Sequence, residues 1–219
     1  MRDPYLYKDV DVLKNKLNIK NSDMLELAEV DESSNAINEL DKKPIQGNYD
    51  FAHYCEFHKR IFGEIYDWAG IIRTIPIEKY EVVLGGLSVQ YSEPKNIETD
   101  ITNILNRLKN IDWNNISLTE KSLHLAEGLA DLWKVHAFRE GNTRTTITFI
   151  CHFAESRGIN LDRHLFADNA LYTRNALVAA SAVLSFGDYR KPEYLNRIVK
   201  DSLERAESDK SKSCNDSIG

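Results

Sequence analysis

The sequence predicts a mainly α-helical domain carrying one β-hairpin. Three observations carry that expectation. Apolar residues recur with helical spacing over most of the chain, as at Ile97, Ile101, Ile104, Leu105 and Leu108. Glycine and proline are sparse, ten and five in 219 residues, which leaves few of the turns that an all-β chain needs. One segment alone, residues 74–92, sets two β-prone runs on either side of Gly85 and Gly86. A lone two-stranded hairpin is only marginally stable, so this one is expected to lean on the helical body.

Taken in order, residues 1–48 form an N-terminal segment with charge runs such as AEVDESSNAINELDKKP, read as one helix or two before a break between Pro44 and Gly47. Asp50 is a candidate cap for a helix that lines up Phe51, Tyr54, His58, Ile61, Phe62 and Ile65. After the helix at 97–108, Leu125, Leu129, Leu132 and Trp133 mark the next. Its entry carries Ser117 and Glu120 at capping-box spacing. Residues 145–157 are apolar nearly all round, the mark of a helix buried in the middle of a bundle, and Gly158 offers its C-cap. Further helices are expected at 168–184 and 192–206, with Pro192 in a first turn. Residues 49–207 thus read as one domain. Residues 208–219, SDKSKSCNDSIG, lack apolar periodicity and read as an unstructured tail.

Composition removes several function classes. With 28 Lys+Arg against 34 Asp+Glu, the net charge of −6 argues against bulk nucleic-acid binding. Cys55, Cys151 and Cys214 are an odd, scattered set, neither a disulfide framework nor a zinc site. The first residues lack an apolar signal core. The longest uncharged apolar stretch, near 176–184, is far short of the ~20 residues that span a bilayer, so no membrane partner is expected. A reducing cytoplasm is the expected compartment, with secretion into a host cell left open.

The chemistry-bearing stretch is HAFREGNTRT, residues 136–145, between two expected helices. His136 is suited to accept a proton from an attacking hydroxyl. Glu140 is suited to hold a Mg²⁺ ion that bridges phosphate oxygens. Gly141 lets the backbone approach an anion, and the helix starting after Asn142 turns its free N–H groups toward one. Arg139 and Arg144 add positive charge. From chemistry alone this is a site for a Mg-nucleotide with a base beside it. The same residues also suit an ordinary solvated turn between helices, and the residues alone leave both readings open.

Residues 136–147, HAFREGNTRTTI, resemble the signature of the Fic (filamentation induced by cAMP) family, H-P-F-x-D/E-G-N-G-R-x-x-R. FHKRIFGEIYDWAGIIRT, residues 57–74, is similar to the family's H-x-x-[IL]-F-x-x-[IV]-Y-x-[WF]-A-G-x-x-R segment, and VLKNKLNI resembles the N-terminal part of bacterial members. The hairpin falls where the family carries a target-docking flap, and the likeness covers about residues 5–200. It implies a Fic-fold helical bundle with one β-hairpin flap, and a toxin-like or regulatory protein adenylyltransferase. Such an enzyme transfers AMP from Mg-ATP to a Tyr, Thr or Ser hydroxyl of a protein target and releases pyrophosphate. His136 is then the general base, and Phe138 anchors the loop. Glu140 is the Mg²⁺ ligand, and Arg139, Gly141, Asn142, Thr143 and Arg144 bind the nucleotide. Ile75, Ile77, Glu78, Lys79 and Tyr80 are the part of the flap that docks the target. The implied partners are ATP, an unidentified target protein and an antitoxin-like small protein.

Departures from the pattern sharpen these expectations. Ala137 replaces a proline, Thr143 a glycine, and Ile147 the second motif arginine. A β-branched residue at 143 is strained if that position needs a positive φ. SSNAINEL, residues 33–40, only approximates the family's inhibitory [S/T]-x-x-x-E-[G/N], with Glu39 out of register, so glutamate clamping is expected to be absent. Two rival readings follow: a nucleotide-binding or scaffold protein weakened at Thr143 and Ile147, or transfer of another phosphate-containing group. Outside the motif, His58 reads as a hydrogen-bonded core residue. Asn169, Tyr172 and Asn175 share a helix beside a possible adenine pocket.

Overall fold

The protein is described by a computed structural model covering residues 2–216. Among these residues the chain forms eight α-helices: α1 (Ser22–Lys42), α2 (Phe51–Phe62), α3 (Ile97–Lys109), α4 (Leu118–Val135), α5 (Asn142–Ser156), α6 (Arg163–Asp168), α7 (Ala170–Ala180) and α8 (Glu193–Asp216). A short antiparallel pair, β1 (Val183–Leu184) and β2 (Gly187–Asp188), joins α7 to α8. The mainly α class with a small hairpin is therefore what the chain adopts.

Helix boundaries follow local chemistry. Asn21 and Asp50 accept the Met24 and His53 N–H groups and start α1 and α2. Ser117 and Glu120 form the complete capping box that opens α4. At the end of α5, Gly158 sits at φ +74° while its N–H donates to the Glu155 carbonyl and that of Ile159 to the Ala154 carbonyl, a Schellman stop.

The core is organised around α4, which packs against α3, α5, α7 and α8. Its Leu125, Leu129, Leu132 and Trp133 are all fully covered. A Cβ at Gly128 would lie 2.9 Å from Leu108, so glycine sets how closely α3 and α4 approach. As the sequence suggested, α5 is buried along Phe149, Ile150, Cys151, Phe153 and Ala154, between α2 and α4. Burying side chains of this size on both faces outweighs its modest helix propensity.

Four expectations need correction. The stripe that included Ile65 leaves the helix at Phe62 and continues through turns closed by the Ile65 and Tyr66 N–H groups on the Phe62 carbonyl. The helix expected over 168–184 divides: α7 ends at Ala180, and Val183 and Leu184 pair with Asp188 and Gly187 instead. Residues 74–92 form no regular ladder. A single bridge joins Glu81 to Leu87 around a 3₁₀ turn (Val82–Leu84), with Gly85 and Gly86 at φ +65° and +88°. The turn chemistry is that of a hairpin tip, but beyond the bridge the arms form no backbone ladder: Lys79 N–H reaches Ser88 Oγ across them, and their other tethers go to the helical body. Finally, α8 continues to Asp216, where a tail was expected from 208. A helix already anchored by buried Leu195, Ile198, Val199 and Leu203 propagates at little cost per residue. The last three residues of that expected tail, 217–219, lie outside the described residues.

Candidate active site

The loop between α4 and α5 is built to be immovable. Helix α4 stops because His136 adopts the left-handed conformation, φ 50° and ψ 57°, uncommon for a residue with a Cβ. Its carbonyl is held by the Arg73 Nε–H at 2.8 Å. Asn142 clamps the loop from the other end: Oδ1 accepts from the Phe138 N–H at 2.9 Å, and Nδ2 donates to the Phe138 carbonyl at 2.7 Å. Phe138 is fully buried and stacks on His58 at 3.7 Å between ring centroids. His58 is the core residue expected, with its Nδ1 accepting from the Gly70 N–H at 2.8 Å and its Nε2 bonded to the Glu140 carbonyl at 3.0 Å. Burial pushes its pKa down to about 3, so it is neutral and Nε2 is the donor.

Within this frame three buried polar atoms have no hydrogen-bond partner, Tyr91 Oη, Thr145 Oγ1 and, on the loop itself, His136 Nε2. His136 is buried, stacked on Tyr91 at 4.1 Å and edge-on to Trp133 at 5.1 Å. Its Nδ1 donates to the Trp133 carbonyl at 3.2 Å, which leaves the lone pair on Nε2. Nε2 is covered and has no hydrogen-bond partner. Burial, then the nearby Lys79 charge, holds the imidazole well below its ordinary pKa of 6.5. A neutral, unpartnered, fixed imidazole is the state a proton acceptor needs.

Glu140 lies one turn of the loop further on. Its Oε1 accepts the Gly141 N–H at 3.1 Å, and its Oε2 meets Lys79 Nζ at 2.8 Å. Burial pushes its pKa up, but the lysine and the hydrogen bonds outweigh this and hold it at about 2, so it is ionised. No group of three or more His, Cys, Asp or Glu suited to a metal ion exists among the described residues. A lone ionised carboxylate still fits Mg²⁺, which commonly takes one protein carboxylate and fills its other positions with phosphate and water. Gly141 is required twice over: its φ is +80°, and a Cβ there would meet the Phe62 ring at 2.4 Å.

The departures from the motif are absorbed without backbone strain. Thr143 lies in the first turn of α5 with helical backbone, so the positive φ feared for it does not arise. Its hydroxyl accepts from the Trp133 indole N–H at 2.9 Å. Ile147 lines a cavity of about 170 Å³ between α1, α5, α6 and α7. The two arginines are engaged outside the His136–Glu140 centre. Arg139 pairs with Asp3 at 2.8 Å. Arg144 binds Glu29 Oε2 and Ser33 Oγ on α1, each at 2.7 Å, and lies over the Phe62 ring. Glu39, the glutamate of the 33–40 segment, pairs with Lys42 at the surface, whereas a different residue of α1, Glu29, holds the first motif arginine, Arg144.

Residues 74–92 sit over this centre. Arg73, fully buried, donates to the Ile75 carbonyl at 2.7 Å and to Ser92, gathering both ends of the flap onto the His136 carbonyl. Glu81 pairs with Arg174 of α7 at 2.7 Å, and the Gln90 N–H donates to the Val183 carbonyl at 2.8 Å. Of the expected docking residues, Lys79 is turned inward to Glu140. Ile75 and Ile77 are half-buried, and Glu78 and Tyr80 are exposed. Beside the flap tip, Val83, Leu84 and Leu87 close a cavity of about 550 Å³ with Tyr172, Ala176 and Phe186. Sequence reasoning missed Tyr91, Glu29 and the linking role of Arg73. Arg73 lay in a quoted segment. Tyr91 and Glu29 carried no periodic or motif signal.

Comparison with known proteins agrees with this arrangement. Residues 48–154 match the model of the Fic/DOC family. "Probable protein adenylyltransferase y4lH" of Sinorhizobium fredii is 31% identical over 166 residues, covering 74% of this chain and 80% of its own length. "Protein adenylyltransferase VbhT" of Bartonella schoenbuchensis is 31% identical over 160 residues, 73% of this chain, which spans about a third of that protein (32%). The N-terminal Fic domain of a VirB-translocated Bep effector protein from Bartonella quintana superposes with TM-score 0.75 at 23% identity, over 95% of this chain and 97% of that one. BepC of Bartonella tribocorum with bound AMPPNP gives TM-score 0.75 at 20% identity, over 90% and 95%. A fixed histidine and carboxylate on the turn into a buried helix, on a fold shared end to end and a sequence shared over most of a full-length relative, make this chain a member of the Fic/DOC family.

Proposed function

We propose that this chain is a protein adenylyltransferase, moving AMP from ATP to a hydroxyl of a target protein. One observation carries the reading: the buried, unpartnered Nε2 of a neutral His136, a few residues from the start of α5 and an ionised Glu140. The free N–H groups of the α5 turn and its dipole receive phosphate oxygens, with Gly141 keeping the approach clear. The target hydroxyl oxygen forms a bond to the α-phosphorus, and the bond from that phosphorus to the bridging oxygen of pyrophosphate breaks. The hydroxyl proton passes to His136 Nε2, which has no competing hydrogen bond to give up. Glu140 would hold Mg²⁺, which when bound supplies positive charge to the leaving pyrophosphate.

The apolar cavity beside Leu84, Tyr172 and Phe186 has the size and lining to take the adenosine end. The exposed arm of the flap, Ile75, Ile77, Glu78 and Tyr80, presents backbone to an extended target segment in the manner of β-augmentation. An antitoxin-like small protein is a further partner class consistent with the family.

The rival reading, a nucleotide-binding protein with weakened chemistry, has its own observation: Arg139 and Arg144 are already claimed by Asp3 and Glu29. Labelled ATP separates them. Transfer of an α-phosphate label to protein in Mg²⁺ is expected. Transfer of the γ-label instead would indicate phosphoryl transfer, and ATP binding without transfer of either label would favour the weakened form.

A further inference from the structure

Lys79 is the flap residue that reaches the loop. Its Nζ lies 2.8 Å from Glu140 Oε2, and the two side chains are only 20% and 31% exposed. Its backbone N–H donates to Ser88 Oγ at 3.0 Å, so the arm that carries it is tied to the opposite arm at that residue. The other acids nearby do not compete for it: Glu81 is paired with Arg174, and Glu78 is exposed. Of the two Glu140 oxygens, one is held by the Gly141 N–H and the other by this ammonium.

A divalent cation on Glu140 and an ammonium on the same oxygen exclude one another, because like charges at that separation repel strongly in a partly buried site. A displaced, largely covered ammonium then needs another anion, since an unpaired charge away from water is costly. The anions that arrive with the metal are the nucleotide phosphates. Lysine suits the exchange, with three donors on a four-carbon stem that swings without moving the backbone. We propose that Lys79 is a nucleotide-binding residue of the flap: it holds Glu140 in the empty protein, yields it to the divalent cation, and takes the nucleotide phosphates in exchange. This rests on the reading of Glu140 as the metal carboxylate, and it moves Lys79 from the target-facing set to the nucleotide.

Two binding measurements on the full chain test it. The first titrates AMPPNP by calorimetry in saturating Mg²⁺. Lys79→Met is expected to weaken binding about 10-fold or more, as loss of a charge-assisted phosphate contact does, while Lys79→Arg stays within about 3-fold of the parent. The second titrates Mn²⁺ alone by electron paramagnetic resonance. Here Lys79→Met is expected to bind several-fold more tightly, because the carboxylate oxygen is vacated, and Glu140→Gln to lose binding. Far-ultraviolet circular dichroism and melting curves confirm that each variant is folded. AMPPNP affinity within about two-fold in Lys79→Met, or unchanged Mn²⁺ affinity in that variant, would overturn the role of Lys79 alone, given the size such contacts have. Unchanged Mn²⁺ and AMPPNP binding in Glu140→Gln would remove the metal assignment, and this proposal with it.

Discussion

The loop of residues 136–142 and the flap of residues 74–92 meet at Glu140 and Lys79, yet they are held in different ways. In the loop the groups that fix its shape are answered within the protein: Asn142 by Phe138, the Glu140 carbonyl by His58, the His136 carbonyl by Arg73. Its buried side-chain atom without a partner is His136 Nε2, the proton acceptor proposed above. The flap has one bridge, two glycines at positive φ, an exposed tip at Val82, and a handful of tethers through Arg73, Lys79, Glu81 and Gln90. The difference suits the roles proposed above. A base gains from a single fixed geometry, whereas a flap that is to admit a nucleotide and a target segment must be able to exchange its contacts.

If the loop is as fixed as this, the largest stability loss comes from Gly141→Ala. A Cβ 2.4 Å from the Phe62 ring at φ +80° combines overpacking with backbone strain. A loss of about 3 kcal/mol is expected in urea unfolding, with activity lost alongside. Arg73→Met tests what joins the two regions. It leaves the His136, Ile75 and Ser92 carbonyls without their donor, and about 2–3 kcal/mol is expected to go. Amide exchange should accelerate across residues 74–92 more than in α5.

Acid should act on the loop side. Burial holds His58 at about 3 in the folded protein and His136 well below 6.5, whereas both titrate near 6.5 unfolded. Between those values the unfolded chain binds more protons, so stability is full above pH 6.5 and falls as pH drops below it. For His58 alone the slope approaches roughly 1.4 kcal/mol per pH unit. Melting temperatures measured from neutral pH downward should show this loss, and His58→Gln should flatten it. The smallest effect is expected from Thr143→Val, which leaves the Trp133 indole N–H without its acceptor and costs about 1 kcal/mol. Substantially no change in that variant would mean that the hydroxyl does not brace the loop.

Much of the loop was legible in the sequence, because its constraints are local. Gly141 and Asn142 must serve a turn into a helix, and His136 and Glu140 lie within that same turn. The caps at Asp50 and Ser117 and the buried character of α5 were legible for the same reason. What escaped depends on residues far apart in the chain. Nothing near Arg144 announces Glu29, 115 positions earlier, and nothing near Arg139 announces Asp3, 136 positions earlier. The flap was legible only at its tip. Gly85 and Gly86 give the turn, but whether the arms pair with each other or with Val183, Arg174 and Glu140 is decided by the surface beneath them. The regular pairing instead formed at Val183 and Leu184, where continued helical periodicity was expected.

The central claim is that a fixed, neutral His136 accepts the target's proton. It is tested most directly by comparing His136→Asn with the parent for α-label transfer from ATP and for AMPPNP affinity. The account predicts that transfer falls by about 10²–10⁴ while AMPPNP affinity stays within about 3-fold, as expected for a group that acts in the transition state alone. Transfer that persists near the parental rate in a folded His136→Asn protein would contradict it.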